Sequence, residues 1–423
     1  MNIVTGIDLG TQSLKVILYD VEEKNVVAKT SASLDLLSDQ DGTREQKTQW
    51  YDEALKICFS QLPQNLLKKV IAVGVSGQQH GFVPLDKNGN SLYNVKLWND
   101  TSTTEECHFL TEAAGSEDAV IQEVGNLMLP GFTAPKILWL KRNKPAEWQK
   151  LRYILLPHDY INFILTDNYC MEYGDASGTA LFNPKTRSWS KTMCDFIDSS
   201  LYDILPPLIE SHKKAGIISE KAASLFGLPA GIPVSSGGGD NMMGAIGTGT
   251  VSDGFLTMSL GTSGTLYGYS NTPLTDPKNG LSGFCSSTGG WLPLLCTMNC
   301  TVAQEQIREL FNLSVAEFDN LANESVAGAN GVIVLPFFNG ERTPNLPNGK
   351  ASITGLTVAN TERRHICRAA MESAVFAIRA GLEAFRALGF SPKEIRLIGG
   401  GAKSALWRRI ASDILNVPIK IPL

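Results

Sequence analysis

The chain has 423 residues, of which 43% are hydrophobic and 19% are charged. This is the composition of an ordinary folded protein, and it excludes an intrinsically disordered one. The length exceeds what one hydrophobic core usually supports, so we expect at least two domains. A formal net charge of −5 gives no indication of a nucleic-acid partner or of an anionic membrane.

The sequence shows neither a targeting segment nor a disulfide framework. No basic or apolar leader precedes Asp8, and no apolar run approaches the roughly 18 residues that span a bilayer. The run at 331–338 is typical of the strongest, and its length predicts a buried strand. Among the eight cysteines, Cys296 and Cys300 are the closest pair, and chance explains their spacing better than a zinc site. We therefore expect reduced thiols, a cytoplasmic location and no membrane contact.

The first elements in chain order are three short strands. Alternating apolar residues predict strands at 3–9, 14–19 and 25–33, joined by tight turns. A helix at 50–61 and a further strand at 69–75 follow. This order is typical of an α/β domain that begins with an antiparallel meander.

A second strand–turn–strand of the same kind begins near residue 255. Strands predicted at 255–260 and 265–269 flank the sequence Gly-Thr-Ser-Gly at 261–264, and Leu-Gly-Thr recurs there as it does at 9–11. The repeat favours an internal duplication with a first domain at 1–247 and a second at 248–423. Two related α/β halves imply a cleft between them, where ligands usually bind.

Both turns have the composition of phosphate-binding hairpins. Gly-Thr-Gln-Ser at 10–13 exposes successive backbone N–H groups and two hydroxyls, and Lys15 adds a positive charge. Either turn alone is compatible with an ordinary hairpin. Two facing hairpins would hold one polyphosphate from both sides.

Asp8 is the only acid of the first strand. A carboxylate among apolar residues is costly unless it is paired or binds a cation. It either accepts hydrogen bonds from the N–H groups of the turn or serves as an oxygen ligand for a Mg²⁺ ion that bridges phosphates.

Two glycine triplets follow predicted strands. Gly399, Gly400 and Gly401 come after a strand at 394–398, and such a turn lets a flat ligand or a phosphate approach the N-terminus of a helix. The other triplet, 237–239, ends on Asp240 and has more glycine than a turn requires. It is either a hinge whose aspartate caps the next helix or a site where a reacting group approaches the backbone.

Six motifs in order resemble those of the FGGY family of carbohydrate kinases, which share the actin/hexokinase-like ATPase fold. They are Gly-Ile-Asp-Leu-Gly-Thr at 6–11, Ser-Gly-Gln-Gln-His-Gly at 76–81, Leu-Trp-Asn-Asp at 97–100, Gly-Gly-Gly-Asp at 237–240, Gly-Glu-Arg-Thr-Pro at 340–344 and Gly-Gly-Gly-Ala-Lys-Ser at 399–404. The resemblance covers essentially the whole chain. Within the family, the motifs at 76–81 and 97–100 and the loop at 125–136 are most similar to those of the xylulose-phosphorylating members. The segments 156–160 and 175–179 belong to the same pattern.

The resemblance implies a fold, a reaction and a set of site residues. The fold is α/β, with two actin/hexokinase/RNase H-like domains that flank an ATP- and sugar-binding cleft. The reaction is transfer of the γ-phosphoryl group of ATP to the 5-hydroxyl of D-xylulose, with Mg²⁺. The implied roles are a catalytic base at Asp240, a metal-associated and catalytic acid at Asp8, phosphate contacts at Thr11, Gln12, Ser13, Lys15 and Thr262, adenine and ribose contacts at Gly400 and Gly401, and sugar contacts at Gln79, His80, Asp240 and Asn241. The glycines before Asp240 would then give the phosphoryl group and the sugar hydroxyl room to approach.

Two departures from the family pattern and several alternatives stay open. The family often has methionine where this chain has Gln79, and its members usually continue past 399–404 with another strand and helix. Trp98 either stacks on the sugar or packs in the core. The alternatives are a sister kinase for another ketose, polyol or aldonate, such as ribulose, glycerol or gluconate, a non-catalytic sugar- or nucleotide-binding protein, and an actin-like scaffold, which leaves the motif at 76–81 unexplained. A homodimer is a common assembly in the family.

Overall fold

A computed structural model describes residues 2–276, 280–344, 346 and 348–422. The chain forms two compact units, the first made of Met1–Met243 and Phe284–Gly290 and the second of Gly244–Gly283 and Trp291–Leu423. A short segment from the second half of the chain thus belongs to the first unit. The domain boundary after residue 247 stays a prediction.

The first unit contains sixteen strands and eleven helices among the described residues. Its strands are β1 (Ile3–Leu9), β2 (Ser13–Asp20), β3 (Asn25–Ser33), β4 (Leu37–Ser38), β5 (Arg44–Gln46), β6 (Val70–Gly77), β7 (Val83–Leu85), β8 (Val95–Lys96), β9 (Tyr153–Leu155), β10 (Met171–Glu172), β11 (Phe182–Asn183), β12 (Ser188–Trp189), β13 (Leu208–Ile209), β14 (Lys214–Ile217), β15 (Pro233–Ser235) and β16 (Gly238–Gly239). Its helices are α1 (Thr48–Ser60), α2 (Gln64–Leu67), α3 (Thr104–Ala114), α4 (Glu117–Val124), α5 (Thr133–Asn143), α6 (Pro145–Trp148), α7 (Pro157–Thr166), α8 (Tyr173–Ala176), α9 (Lys191–Ile197), α10 (Leu201–Ile204) and α11 (Glu220–Phe226). Another helix, α12 (Asp240–Thr248), begins in this unit.

The main sheet of the first unit has the order β14-β15-β6-β1-β2-β3, with β16 also paired to β6. Along β1 every second residue is buried, as the alternating sequence requires. Helix α1 packs on this sheet through Tyr51, Leu55 and Phe59, all of which are buried. Burial of each such side chain contributes about 1.5–3 kcal/mol, which holds the helix against the sheet.

The register of three parallel strands brings their carboxyl ends together. Asp8 of β1 lies opposite Ser76 of β6, and Gly238 of β16 lies opposite the same serine on its other side. The chain therefore leaves all three strands at one edge of the sheet. In open α/β sheets this edge is where ligands bind.

The second unit repeats the architecture with fewer elements. Its strands are β17 (Phe255–Leu260), β18 (Gly264–Gly268), β19 (Ser282–Cys285), β20 (Trp291–Thr297), β21 (Ile333–Leu335), β22 (Ser352–Thr354), β23 (Glu394–Ile398) and β24 (Ile419–Lys420). Its helices are α13 (Thr301–Leu310), α14 (Val315–Glu324), α15 (Arg363–Ala387) and α16 (Ala405–Leu415), and two 3-10 turns lie at Ala329–Gly331 and Gly400–Lys403.

The main sheet of this unit has the order β19-β20-β18-β17-β23-β24. Strand β17 is antiparallel to β18 and parallel to β23, as β1 is antiparallel to β2 and parallel to β6. The long helix α15 covers the core with Ile378, Leu382 and Phe385. The predicted α/β fold with two related domains is confirmed by this shared topology.

The apolar run at 331–338 differs from its prediction. Only Ile333–Leu335 forms a strand, β21, and it pairs with β22 in a two-stranded sheet outside the main one. Because no second layer covers such a ribbon on both faces, Ile333 is 62% exposed and Leu335 is 42% exposed. The prediction of a buried strand is wrong, since local apolarity does not decide whether a layer packs on it.

Two global features complete the description. All eight cysteines are free and buried. Within the described ranges, the helices are each too short or too polar to span a membrane.

Candidate active site

Strands β1 and β2, which flank the first turn, carry the predicted site residues Asp8 and Lys15. The Gly10 N–H donates to the Ser13 carbonyl over 3.0 Å and closes the turn. Asp8 and Lys15 face each other across the two strands, with 3.5 Å between Lys15 Nζ and Asp8 Oδ2. The side chains are 43% and 57% exposed, so both charges are open to a ligand.

Thr11 is fixed by hydrogen bonds within the protein. Its hydroxyl donates to Gln78 Oε1 over 3.1 Å and accepts from Trp98 Nε1 over 3.0 Å. The Thr11 carbonyl accepts a hydrogen bond from Gln46 Nε2. Gln46 Oε1 in turn accepts a hydrogen bond from Gln78 Nε2. The single hydroxyl hydrogen of Thr11 is thus engaged, and the Trp98 indole N–H anchors the turn. Gln46 and Gln78 escaped the sequence reasoning because both lie far from the turn along the chain.

The glycine triplet before Asp240 is required by the protein itself. Gly237 has a φ of +67°, and an added Cβ would lie 2.3 Å from the Val75 carbonyl oxygen. At Gly239 a Cβ would lie 2.5 Å from Gln79 Cγ. Strand β16 therefore lies against β6 only because it lacks side chains. Close approach of protein atoms explains the triplet without a reacting group.

The predicted sugar residues come together beyond the ends of β6 and β16. Gln79 and His80 are only 4% and 6% exposed. Asn241 Nδ2 donates to Gln79 Oε1 over 2.7 Å and lies 3.1 Å from Asp240 Oδ1. The structure thus joins Gln79, Asn241 and Asp240 in one hydrogen-bonded group.

His80 is held in an unusual backbone conformation. Its φ is +64°, the left-handed region that is costly for a residue with a side chain. Lys136 Nζ and the Thr133 hydroxyl donate to the His80 carbonyl, and the ring packs edge-on against Phe132 at a centroid distance of 4.9 Å. Phe284 lies 5.6 Å away on another side. Such over-determined strain is typical of functional sites.

Asp240 has the ionisation expected of a proton acceptor near neutral pH. Asp240 is an exposed residue, yet neighbouring protein atoms remove part of the hydration of its carboxylate. This desolvation, followed by the negative charges of Asp8 and Asp175, raises the pKa of Asp240 from 3.8 to about 7. The carboxyl therefore takes up and releases protons in the physiological range.

A buried ionic cluster lies beneath this group. His158 is fully buried, with Nδ1 2.7 Å from Asp175 Oδ2 and Nε2 3.0 Å from Asp159 Oδ1, although only the first contact has hydrogen-bond geometry. Burial lowers the pKa of His158, but Asp159 and Asp175 outweigh it and raise the pKa well above 6.5. Glu172 also belongs to the cluster, because its carboxylate accepts hydrogen bonds from the Gly174 and Asp175 N–H groups. Sequence analysis assigned no role to His158 or Asp175, because the two residues lie in different helices, α7 and α8, and no local pattern indicates that they meet.

The second unit presents a similar turn without charges. The Gly261 N–H donates to the Ser263 carbonyl over 3.2 Å, and the Thr262 carbonyl accepts from the Cys300 N–H at the start of α13. The Thr262 side chain is exposed. Its hydroxyl and the turn are accessible, as phosphate binding requires.

The glycine turn after β23 has two different parts. An added Cβ at Gly401 would lie 2.3 Å from the Trp407 ring, so this glycine serves packing. At Gly400 a Cβ would meet nothing within 4 Å, and the residue is exposed. Ser404 then caps α16 by accepting from the Trp407 N–H. Only Gly400 offers an open stretch of backbone to a ligand.

Models of one protein family match both halves of the chain. The N-terminal domain of the FGGY family of carbohydrate kinases matches residues 3–247, and the C-terminal domain of the same family matches residues 256–423. The chain belongs to the FGGY family of carbohydrate kinases. As an FGGY kinase it takes ATP and a sugar as its substrates.

Similar proteins extend this assignment. The xylulose kinase of Haemophilus influenzae is 45% identical over 423 residues, which covers 97% of this FGGY kinase and 85% of that protein. The crystal structure of a xyloylose kinase from Brucella ovis has a TM-score of 0.93 at 30% identity and covers 100% of this chain and 87% of its own. A gluconate kinase from Lactobacillus acidophilus has a TM-score of 0.91 at 23% identity, with 99% of this chain and 86% of its own covered, so that likeness concerns the fold alone.

Few side chains of this FGGY kinase are placed to hold a metal ion. Within the described residues, no group of three or more histidines, cysteines or acids is arranged to hold a metal ion. Mg²⁺ usually keeps several waters and takes one or two carboxylates together with substrate phosphates. The single accessible carboxylate of Asp8 fits that mode of binding, whereas a cage made only of protein ligands is not present in the described part of the chain.

Proposed function

We propose that this FGGY kinase transfers the γ-phosphoryl group of ATP to the 5-hydroxyl of D-xylulose and releases D-xylulose 5-phosphate and ADP. The observation that carries the proposal is Asp240, whose carboxyl has a pKa of about 7 and stands in one hydrogen-bonded group with Asn241 and Gln79. The xylulose kinases among the similar proteins support the choice of sugar. The fold alone does not, because a gluconate kinase shares it.

In this proposal Asp240 is the general base. It accepts the proton of the 5-hydroxyl while that oxygen attacks the γ-phosphorus, and the bond from the γ-phosphorus to the β,γ-bridging oxygen breaks to release ADP. A base acts best when its pKa lies near the working pH, since it is then both ionised and basic. The raised pKa of Asp240 meets this condition.

The two turns would bind the phosphates of ATP. Lys15 supplies a positive charge, while Thr11, Gln12 and Ser13 supply backbone N–H groups; the Thr11 hydroxyl is already engaged with Gln78. Thr262 would contribute from the second unit, and Gly400 and Gly401 would lie near the adenine and ribose. Asp8 would hold Mg²⁺, which when bound neutralises charge on the phosphates. Most of the acceleration is expected from alignment and charge neutralisation.

The sugar would be held by polar side chains around Asp240. Gln79 and Asn241 offer amide groups, and His80 offers its ring between Phe132 and Phe284. A buried site that hydrogen-bonds hydroxyl groups rejects sugars that leave those groups unpaired. We therefore expect a clear ranking among sugars rather than broad activity.

The test is ADP release from ATP and Mg²⁺ with D-xylulose, D-ribulose, L-ribulose, glycerol and gluconate. Asp240→Ala and Asp240→Asn should lower kcat on the best sugar by about 10²–10⁴-fold, the usual contribution of a general base. Asp253→Asn is the matched control, because Asp253 is an exposed acid in the second unit. Its activity should equal that of the wild type.

The outcomes separate the alternatives. Fastest turnover on D-xylulose, lost in both Asp240 variants, supports the proposal. If turnover is fastest on ribulose, glycerol or gluconate, that compound is the substrate, and the reaction is still phosphoryl transfer from ATP. Sugar binding without ADP release above the Asp240→Ala background overturns the kinase proposal in favour of a sugar-binding protein.

Location and assembly complete the proposal. We propose a cytoplasmic enzyme, which the eight free and buried cysteines support because disulfides are rare in reducing compartments. A homodimer is proposed from the family resemblance. Light scattering after size exclusion would show twice the mass of one chain, and a mass of one chain would refute it.

A further inference from the structure

The buried ionic cluster and the group around Asp240 are two sets of hydrogen-bonded side chains. His158 Nδ1 lies 2.7 Å from Asp175 Oδ2, Asn241 Nδ2 donates to Gln79 Oε1 over 2.7 Å, and Asn241 also reaches Asp240 Oδ1 over 3.1 Å. The two sets would be connected by a contact between Asp175 and Gln79.

That contact would join two buried atoms with complementary chemistry. Gln79 Nε2 is a donor and Asp175 Oδ1 is an acceptor, and both are buried without a hydrogen bond of regular geometry. Burial raises the pKa of Asp175, and hydrogen bonding from His158 and, more weakly, from the Gln79 amide opposes that rise. Pairing these two atoms would remove the cost of about 1–3 kcal/mol that each buried, unpaired group carries.

His158 also touches the strands that carry the active-site groups. A Cβ placed on Gly77, at the end of β6, would lie 2.9 Å from His158 Cβ, and one placed on Gly237, just before β16, would lie 3.3 Å from His158 Cδ2. These are the strands that lead into Gln79 and Asp240. The histidine therefore lies directly beneath both chain segments.

We propose that His158 and Asp175 are positioning residues that orient the Asp240 carboxylate through Gln79 and Asn241. The inference rests on the proposed function, in which Asp240 is the general base. It gives Gln79 a task in this chain that a methionine at the same position does not perform.

The chemistry of amides explains why the path transmits orientation. A glutamine amide has a donor side and an acceptor side, whereas a carboxylate only accepts. Asp175 fixes Gln79 Nε2 on its own side, so Gln79 Oε1 must point to Asn241 Nδ2. The same nitrogen of Asn241 then holds Asp240 Oδ1, and the carboxylate is kept in one rotamer. A misplacement of about 1 Å at the reacting group costs roughly 10²-fold in rate.

A double-mutant cycle tests the path. Asp175→Asn and Gln79→Met are made singly and together, and Asp159→Asn is the matched control, because Asp159 is the other carboxylate beside His158 but has no link to Gln79. For each variant kcat, KM for sugar and ATP, and the melting temperature are measured.

The path predicts that Gln79 is coupled to Asp175, and through it to His158, but not to Asp159. Asp175→Asn should lower kcat by about 10-fold in the wild-type background, with KM for ATP unchanged, and should have no further effect on kcat in Gln79→Met. Asp159→Asn should change kcat by the same factor in both backgrounds. Equal effects of Asp175→Asn in the two backgrounds would overturn the proposal, since its role would then be structural.

The melting temperatures of the same variants test the path without any measurement of activity. The melting-temperature changes of Asp175→Asn and Gln79→Met should be non-additive, and those of Asp159→Asn and Gln79→Met should be additive. If the wild type phosphorylates none of the sugars, the proposed function fails and this stability cycle still decides whether the path exists. Additive changes for Asp175 and Gln79 would overturn it, and if Asp175→Asn does not fold, His158→Gln takes its place in the same cycle.

Discussion

Gly239→Ala adds one methyl group at the point where β16 lies against the sugar loop. The new carbon would lie 2.5 Å from Gln79 Cγ, 2.7 Å from Cδ and 2.9 Å from Nε2. All three distances are shorter than carbon and nitrogen atoms tolerate. Because Gln79 is only 4% exposed, it has little room to retreat and must rotate away from Asn241.

Two effects of this methyl group can be estimated. Overpacking of a filled site costs about 1–3 kcal/mol of the free energy of unfolding. Loss of the 2.7 Å bond from Asn241 to Gln79 Oε1 frees the amide that holds Asp240. A displaced general base is expected to lower kcat by about 10–10²-fold.

The assay compares Gly239→Ala with Gly247→Ala in urea unfolding and steady-state kinetics. Gly247 lies within α12, and a Cβ there would meet nothing within 4 Å. This control should keep full activity and gain up to about 1 kcal/mol, because alanine favours a helix over glycine. If Gly239→Ala retains both wild-type stability and wild-type kcat, the argument that β16 requires glycine against Gln79 is refuted.

Two side chains, Asp240 and Thr11, provide three further predictions. Desolvation and the charges of Asp8 and Asp175 raise the pKa of Asp240 to about 7, so kcat/KM should fall tenfold per pH unit below 7 and level off above it. A raised pKa also means that this carboxyl stabilises the fold fully below about pH 4, and that this contribution is lost as the pH rises through 7. Asp240→Asn should therefore raise the melting temperature more at pH 8 than at pH 5. An equal rise at the two pH values would contradict the raised pKa of Asp240. Thr11→Val leaves Gln78 Oε1 without the Thr11 donor and should lower the free energy of unfolding in urea by about 1–3 kcal/mol. Thr11→Ser keeps the hydroxyl and is the control. If the valine variant loses no stability, this hydrogen bond contributes nothing.

Sequence patterns predicted about half of the strands of the two main sheets and missed β14, β15, β16, β19, β20 and β24. The predictions at 3–9, 25–33, 255–260 and 394–398 agree with β1, β3, β17 and β23. Strands β1, β17 and β23 each have a buried face in a large sheet, so their hydrophobic pattern reflects their surroundings. Strand β3 lies at the edge of its sheet and is largely exposed. The run at 331–338 failed because the same local pattern lies in a small ribbon with one open face.

The contacts that shape the candidate site were beyond reach of the sequence. Thr11 and Gln78 are 67 positions apart, and Gln79 and Asn241 are 162 apart. No local pattern specifies which polar side chains meet after such separations. The glycines at 237–239 were noticed as unusual, yet their cause, the backbone of Val75 and the side chain of Gln79, emerges only from the strand register.

The two hairpins show how one topology serves two electrostatic roles. In the first, Asp8 faces Lys15 across the strands, and the pair places opposite charges beside the turn. In the second, the equivalent strand position is Ser259, and it faces Thr265. Both turns are closed by a hydrogen bond from their first glycine, so the backbone groups available to a phosphate are alike. A carboxylate helps to bind a phosphate only through a bridging cation and otherwise repels it. Only the first of the two turns has an acid at this position, so only that turn offers a carboxylate to a cation, and the second offers N–H and hydroxyl groups.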